Sequence, residues 1–97
     1  MRMYVIVRND LSASQKAVQA GHALAEYLLK VKNFKWPNGI LIYLTVDNEM
    51  KLKNLMQEMD MKDINWIGFK EPDINNEYTA IAVETKRKTL FKNLPLL

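Results

Sequence analysis

Residues 4–29, YVIVRNDLSASQKAVQAGHALAEYLL, decide the architecture. Met3-Tyr4-Val5-Ile6-Val7 is a short, continuous, β-branched run bounded by polar residues, which reads as a buried strand. Apolar side chains at consecutive positions point to both faces of a strand, so the sheet is expected to be covered on both sides. Arg8 to Leu11 leave the strand. Ser12, with Gln15 three residues on, has the form of a capping box opening a helix that runs to about Lys32. Val18, Gly21, Ala25, Leu28 and Leu29 recur at helical spacing, and Leu24 and Val31 broaden that face; it is the expected core face.

The same grammar continues outward. Trp36-Pro37-Asn38-Gly39 is a turn signal, and Ile40 to Val46 is a second continuous apolar strand. Asp47 or Asn48 caps a second helix with an apolar stripe of Leu52, Leu55, Met56 and Met59. Ile64 to Phe69 is a third strand, Glu71 to Asn76 a loop around Pro72, and Tyr78 to Val83 a fourth strand. Thr85 to Leu97 is a basic tail with room for one helical turn. The element order β-α-β-α-β-β predicts an α/β fold: three layers, α/β/α, around a four-stranded mixed sheet. Strands joined through helices are expected to be parallel, and the last two antiparallel.

The chain has 97 residues, 48% hydrophobic and 26% charged, which fits one domain spanning 1–97. No cysteine is present, so a disulfide scaffold and a thiolate metal site are excluded, and a reducing, cytoplasmic setting is expected. No leader-like segment and no apolar run of about 20 residues is visible, so a membrane role is not expected. The formal charge of +3 permits a nucleic-acid partner without demanding one.

Lys16, Gln19 and His22 lie along one edge of the first helix, amid Ala17, Ala20, Gly21, Ala23 and Ala25. Two readings stand. Either the small residues pack the helix on the first strand and the polar groups ring that contact, or the polar groups face a ligand at the carboxyl end of that strand, beside Arg8 and Asp10. Gly21 and Ala17 are expected at the strand contact and Gln19 at the rim. The loop segment EPDINNE gathers Glu71, Asp73, Asn75 and Asn76. It reads equally as a turn or as a set of carboxylates that orient water or accept a ribose hydroxyl. Trp36, in a turn, is a surface candidate for stacking a base, and Trp66, in a strand, is expected in the core. The single histidine makes a metal site improbable.

These residues carry a resemblance. YVIVRNDL followed by QKAVQAGHALAEYLL resembles the opening of the type II peptidyl-tRNA hydrolases: a buried strand ending Arg-x-Asp-Leu, then a helix with a lysine, a glutamine and a His-Ala three residues after it. The match uses Arg8, Asp10, Leu11, Lys16, Gln19, His22 and Ala23, and extends to TAIAV and the closing LPLL. The segment SASQK stands where the family has a glycine- and lysine-rich stretch, and FKEPDINNEYTAIAV lacks the family's Ala-Gly and Thr-Gln. The resemblance implies an esterase that frees tRNA from a peptide at the terminal ribose, without a cofactor. Lys16 would stabilise the oxyanion and Asp73 or Glu71 would orient water. Thr79 and His22 would support them, and Arg8, Asp10, Gln19, Asn75 and Asn76 would bind. The alternative is a non-catalytic module for a nucleotide or tRNA end; a homodimer with a vestigial site is a third reading.

Overall fold

The computed structural model describes residues 1–97. Its elements are β1 (Arg2–Arg8), α1 (Ala13–Lys30), β2 (Leu41–Val46), α2 (Glu49–Met61), β3 (Trp66–Glu71), a single 3-10 turn (Pro72–Ile74) and β4 (Glu77–Thr85). The sheet order is β2-β1-β4-β3. β1 and β2 pair in parallel, and β4 pairs antiparallel with both β1 and β3. β3 therefore runs parallel to β1, and their carboxyl ends share one edge of the molecule. No helix is long and apolar enough to cross a membrane.

Alternation along β1 divides the core. Tyr4 and Ile6 pack with Leu52, Met56 and Met59 of α2, together with Ile81 and Val83. Met3, Val5 and Val7 pack with Ala20, Ala23 and Tyr27 of α1, together with Ala80 and Ala82. The helices thus cover opposite faces, as the unalternating strands predict. Ser12 closes the expected capping box with Gln15, and Asn48 caps α2. The tail forms turns, and its last residues pair with the β2 edge: Leu96 bridges Leu44, and the Leu97 N–H donates to the Tyr43 carbonyl at 3.0 Å. The closing LPLL covers a strand edge that would otherwise offer free backbone groups.

The face of α1 that meets the sheet overlaps the expected one at Leu24, Leu28 and Val31 but is centred on other residues. Ala20, Ala23 and Tyr27 are buried, whereas Val18 and Leu29 are 55% and 75% exposed and Ala17, Gly21 and Ala25 face solvent. The reason is local fit. α1 lies over β4 and β3, where β4 presents Ala80 and Ala82, and small residues on both sides permit close approach. Tyr27 then fills the remaining space. A Cβ added at Gly21 meets nothing within 4 Å, so its smallness serves no strand contact. Gly21→Ala is therefore expected to stabilise the protein by about 0.5–1 kcal/mol through helix propensity, read as a higher urea midpoint. Trp36 is also corrected: it is 6% exposed, with its indole N–H donating to the Ile40 carbonyl at 2.9 Å, while Trp66 is half-buried.

Candidate functional site

β3 and β4 slip register between Phe69 and Lys70. Phe69 pairs with Ala80 and Lys70 with Tyr78, which leaves Thr79 as the extra residue of a β-bulge. The bulge breaks the alternation. Tyr78 packs on the α2 face, but Thr79 turns with Ala80 toward α1. Thr79 is fully buried there, and its hydroxyl donates to Gln19 Oε1 at 2.7 Å. That bond fixes the Gln19 amide, so its Nε2 points at the end of β3, where it donates to Glu71 Oε2 at 2.9 Å. The other oxygen of Glu71 accepts the Asp73 backbone N–H at 3.3 Å. A chain of bonds thus runs from the core to the molecular surface: Thr79, Gln19, Glu71, Asp73.

Along this chain lies an open cleft of about 390 Å³. Ser14, Gln15, Val18 and His22 form its α1 wall, and Glu71, Asp73 and Ile74 face them from the 3-10 turn, with Gln19 between. His22 stacks on Phe69, the ring centroids 4.4 Å apart and the planes 6° from parallel. The Gln19 amide, then the Asp73 N–H, hold the Glu71 carboxylate below its ordinary range against slight desolvation, and charge on His22 adds to the effect. Glu71 is therefore an anion at neutral pH, oriented through Gln19 by a group sealed in the core.

The structure brings together four of the sequence-predicted residues, Gln19, His22, Glu71 and Asp73, with Thr79 behind them. The cleft stands at the carboxyl end of β3 rather than β1, because α1 leans over β3 and β4. Gln19, expected at a rim, is only 4% exposed. Lys16 is not in the cleft wall; its ammonium donates to Asn9 Oδ1 at 2.8 Å. Arg8 falls on the Ile6 side of β1 by alternation. Its guanidinium holds Asp10 through two bonds of 2.9 Å and Glu77 through one of 2.7 Å, and donates to the Tyr78 carbonyl at 3.3 Å. Bonded to Asp10 first and Glu77 second, Arg8 is held protonated, and Asp10 is held below the usual carboxylate range by Arg8. This cluster ties β1 to β4. Asn75 and Asn76 are exposed at φ 52° and 57°, and the Asn76 N–H donates to the Glu71 carbonyl, so they form the turn. Phe69 was missed from sequence, although its spacing of two from Glu71 puts both on one face of β3. The basic residues Lys86, Arg87, Lys88 and Lys92 follow Thr85, which pairs with Arg2 at the opposite end of the sheet, about 20 Å of strand away.

No family model and no curated relative matches the chain. Among solved structures, a protein of unknown function, Atu0240 from Agrobacterium tumefaciens strain C58, is similar with a TM-score of 0.72 at 16% identity. The likeness covers 99% of this chain and 96% of that one, and it bears on the fold alone.

Proposed function

We propose that the chain is a small esterase of the peptidyl-tRNA hydrolase type, acting on the ester between an acyl group and the terminal ribose of tRNA. One observation carries this reading: a core-anchored glutamine aims an ionised glutamate, Glu71, into a cleft whose wall carries a stacked histidine. An acyl ester is already activated, so an oriented water and a donor for the developing oxyanion suffice. Glu71 would hold the water and take its proton as the oxygen adds to the carbonyl carbon. The ribose oxygen then leaves as the C–O bond breaks and regains a proton. His22 is the group of the cleft suited to face the oxyanion. The resemblance gave that role to Lys16, which here is held by Asn9.

The position of Lys16 also favours the non-catalytic side of the second reading, a module for a nucleotide or tRNA end, since no lysine or arginine lines the cleft to stabilise an oxyanion. One assay separates the two. Purified aminoacyl-tRNA and N-acetylaminoacyl-tRNA are incubated with the protein and release of tRNA is followed. Wild type is expected to turn over at least one of them, and Lys16→Ala to keep kcat within about threefold, less than 1 kcal/mol of barrier. Absence of turnover by wild type removes the esterase reading. The binding module would then show itself by thermal shift, where a nucleotide at 100 times its Kd adds about 2.7 kcal/mol.

A further inference from the structure

We infer that the free edge of β3 is a self-pairing surface, on which two copies of the chain join β3 to β3, antiparallel about Gly68, so that their sheets become one. β3 forms one edge of the sheet and β2 the other. The tail closes the β2 edge, whereas no strand or tail residue pairs with the outer side of β3. The direction of the β3 backbone groups follows from the ladder. The Met3 N–H donates to the Ile40 carbonyl and the Asn9 N–H to the Val46 carbonyl, so odd residues of β1 bond to β2 and even ones to β4. Tyr4 and Ile6 thus bond Val83 and Ile81, which leaves Ala82 and Ala80 to bond Ile67 and Phe69 of β3. Trp66, Gly68 and Lys70 therefore turn their N–H and C=O groups outward. Such a row of donors and acceptors is a template for an added strand.

Charge and shape make a second copy the strand that fits. Pairing about Gly68 sets Lys70 of one copy opposite Trp66 of the other, and the reverse, so the outward residues of the two strands meet as hydrogen-bonded pairs. The Trp66 indole N–H donates to Asp60 Oδ1 at 2.8 Å, and Asp63 lines the same recess. The exposed Lys70 ammonium thus arrives on an indole flanked by two carboxylates, at both ends of the pairing. On the other face of the sheet, Ile67 of one copy stands opposite Phe69 of the other, a β-branched–aromatic pair of half-buried side chains. The helices add to the contact. His22 stacks on Phe69, so its flank of α1 overhangs β3. Val18, Ala25 and Leu29, at i−4, i+3 and i+7 from His22, share that flank and are exposed. The two-fold axis that pairs the strands sets the two α1 helices antiparallel with these apolar flanks toward each other. The solvent-facing stripe on α1 is thereby covered by its own copy. A strand from another protein would meet the same backbone groups, but the match of Lys70 to Asp60 and of flank to flank is supplied by this chain itself.

The test uses the intact chain. Sedimentation equilibrium is expected to show a monomer–dimer equilibrium with a dissociation constant of about 1–100 μM. Amide hydrogen exchange followed by NMR then identifies the surface. The N–H groups of Trp66, Gly68 and Lys70 are expected to exchange at least about tenfold more slowly in concentrated than in dilute protein, because pairing protects them. Lys70→Glu sets a carboxylate against Asp60 and Asp63, and Leu29→Asp puts a charge on the α1 flank. Both positions are exposed and lie outside the cleft wall, so circular dichroism should show an unchanged fold. Each variant is expected to weaken dimerisation about tenfold or more. A protein that stays monomeric at about 1 mM, a thousandfold above the tight end of that range, overturns the inference. So does a dimer in which the exchange of these three amides is independent of concentration, since it would use another surface. Wild-type association by both folded variants overturns it as well. None of these outcomes depends on ester hydrolysis.

Discussion

Glu71→Gln is expected to lower hydrolysis of acylated tRNA by about 10²–10³-fold with KM little changed, because the carboxamide fills the same space but cannot take a proton from water. The substitution is close to isosteric, and the glutamine carbonyl can still accept from Gln19 Nε2. Stability should therefore change little, and circular dichroism should show an unchanged fold. The pH profile gives a second readout. Glu71 is held ionised below the ordinary carboxylate range by the Gln19 amide and the Asp73 N–H. Activity that depends on its anionic form should have its acid limb at lower pH than an ordinary glutamate would give. The same sign governs stability. A carboxylate whose folded-state pKa lies below its unfolded value contributes stability above the unfolded pKa and loses it as pH drops through the folded one. Turnover within threefold of wild type in Glu71→Gln would remove Glu71 from the reaction and leave the cleft as a binding surface.

The residues of this cleft were individually legible in the sequence, but their connection was not. Gln19, His22, Glu71 and Asp73 stand out because polar groups punctuate an otherwise small-residue helix and a carboxylate-rich loop. That Gln19 bonds Glu71 depends on where α1 crosses the sheet, and α1 crosses β4 and β3 because Ala80 and Ala82 make room for it. Sequence periodicity weights apolar spacing, and it chose the stripe of Val18, Gly21, Ala25, Leu28 and Leu29, of which Leu28 packs on the core while Val18, Gly21, Ala25 and Leu29 face solvent. The true contact face pairs alanine with alanine and was invisible to that weighting. Thr79 could not be oriented without the bulge, since strict alternation puts it on the α2 face. Strand runs, caps and element order were legible because they are local: Ser12 with Gln15, Asn48 before α2, β-branched residues in β1. Trp36 was misplaced for the opposite reason. Its turn-like neighbours Pro37, Asn38 and Gly39 are local signals, whereas its burial comes from the cluster it joins with Met3, Val5 and Tyr27, and its backbone N–H is held by a distant carboxylate.

That carboxylate, Glu84, is expected to be the most destabilising single truncation outside the apolar core. It lies on β4, and three donors, one from α1 and two from the connection after it, converge on it. The Tyr27 hydroxyl donates to Oε1 at 3.0 Å, the Lys35 N–H to Oε2 at 2.5 Å, and the Trp36 N–H to Oε2 as well. Tyr27 is 1% exposed, and its phenol is held protonated, first by burial and then by the neighbouring Glu84 acceptor, so it remains a donor throughout the usual pH range. Residues 31–40 contain no helix or strand, and Glu84 holds the Lys35 and Trp36 backbone of that connection ahead of β2. Glu84→Ala leaves a buried hydroxyl and two backbone N–H groups without an acceptor, and should cost about 2–4 kcal/mol in urea unfolding. Glu84→Gln keeps one acceptor oxygen but turns an NH₂ toward the other donors, so an intermediate loss of about 1–2 kcal/mol is expected. Tyr27→Phe supplies the control. If Tyr27 acts through Glu84, removing its hydroxyl in the Glu84→Ala background should destabilise far less than in wild type, a coupling of at least 0.5 kcal/mol in the cycle. Ester hydrolysis well below the melting temperature should be unchanged in Glu84→Ala, since Glu84 pairs with Met3 at the far end of the sheet from the cleft. A loss under 0.5 kcal/mol would mean that water replaces the carboxylate and that residues 31–40 hold their place by the packing of Trp36 alone.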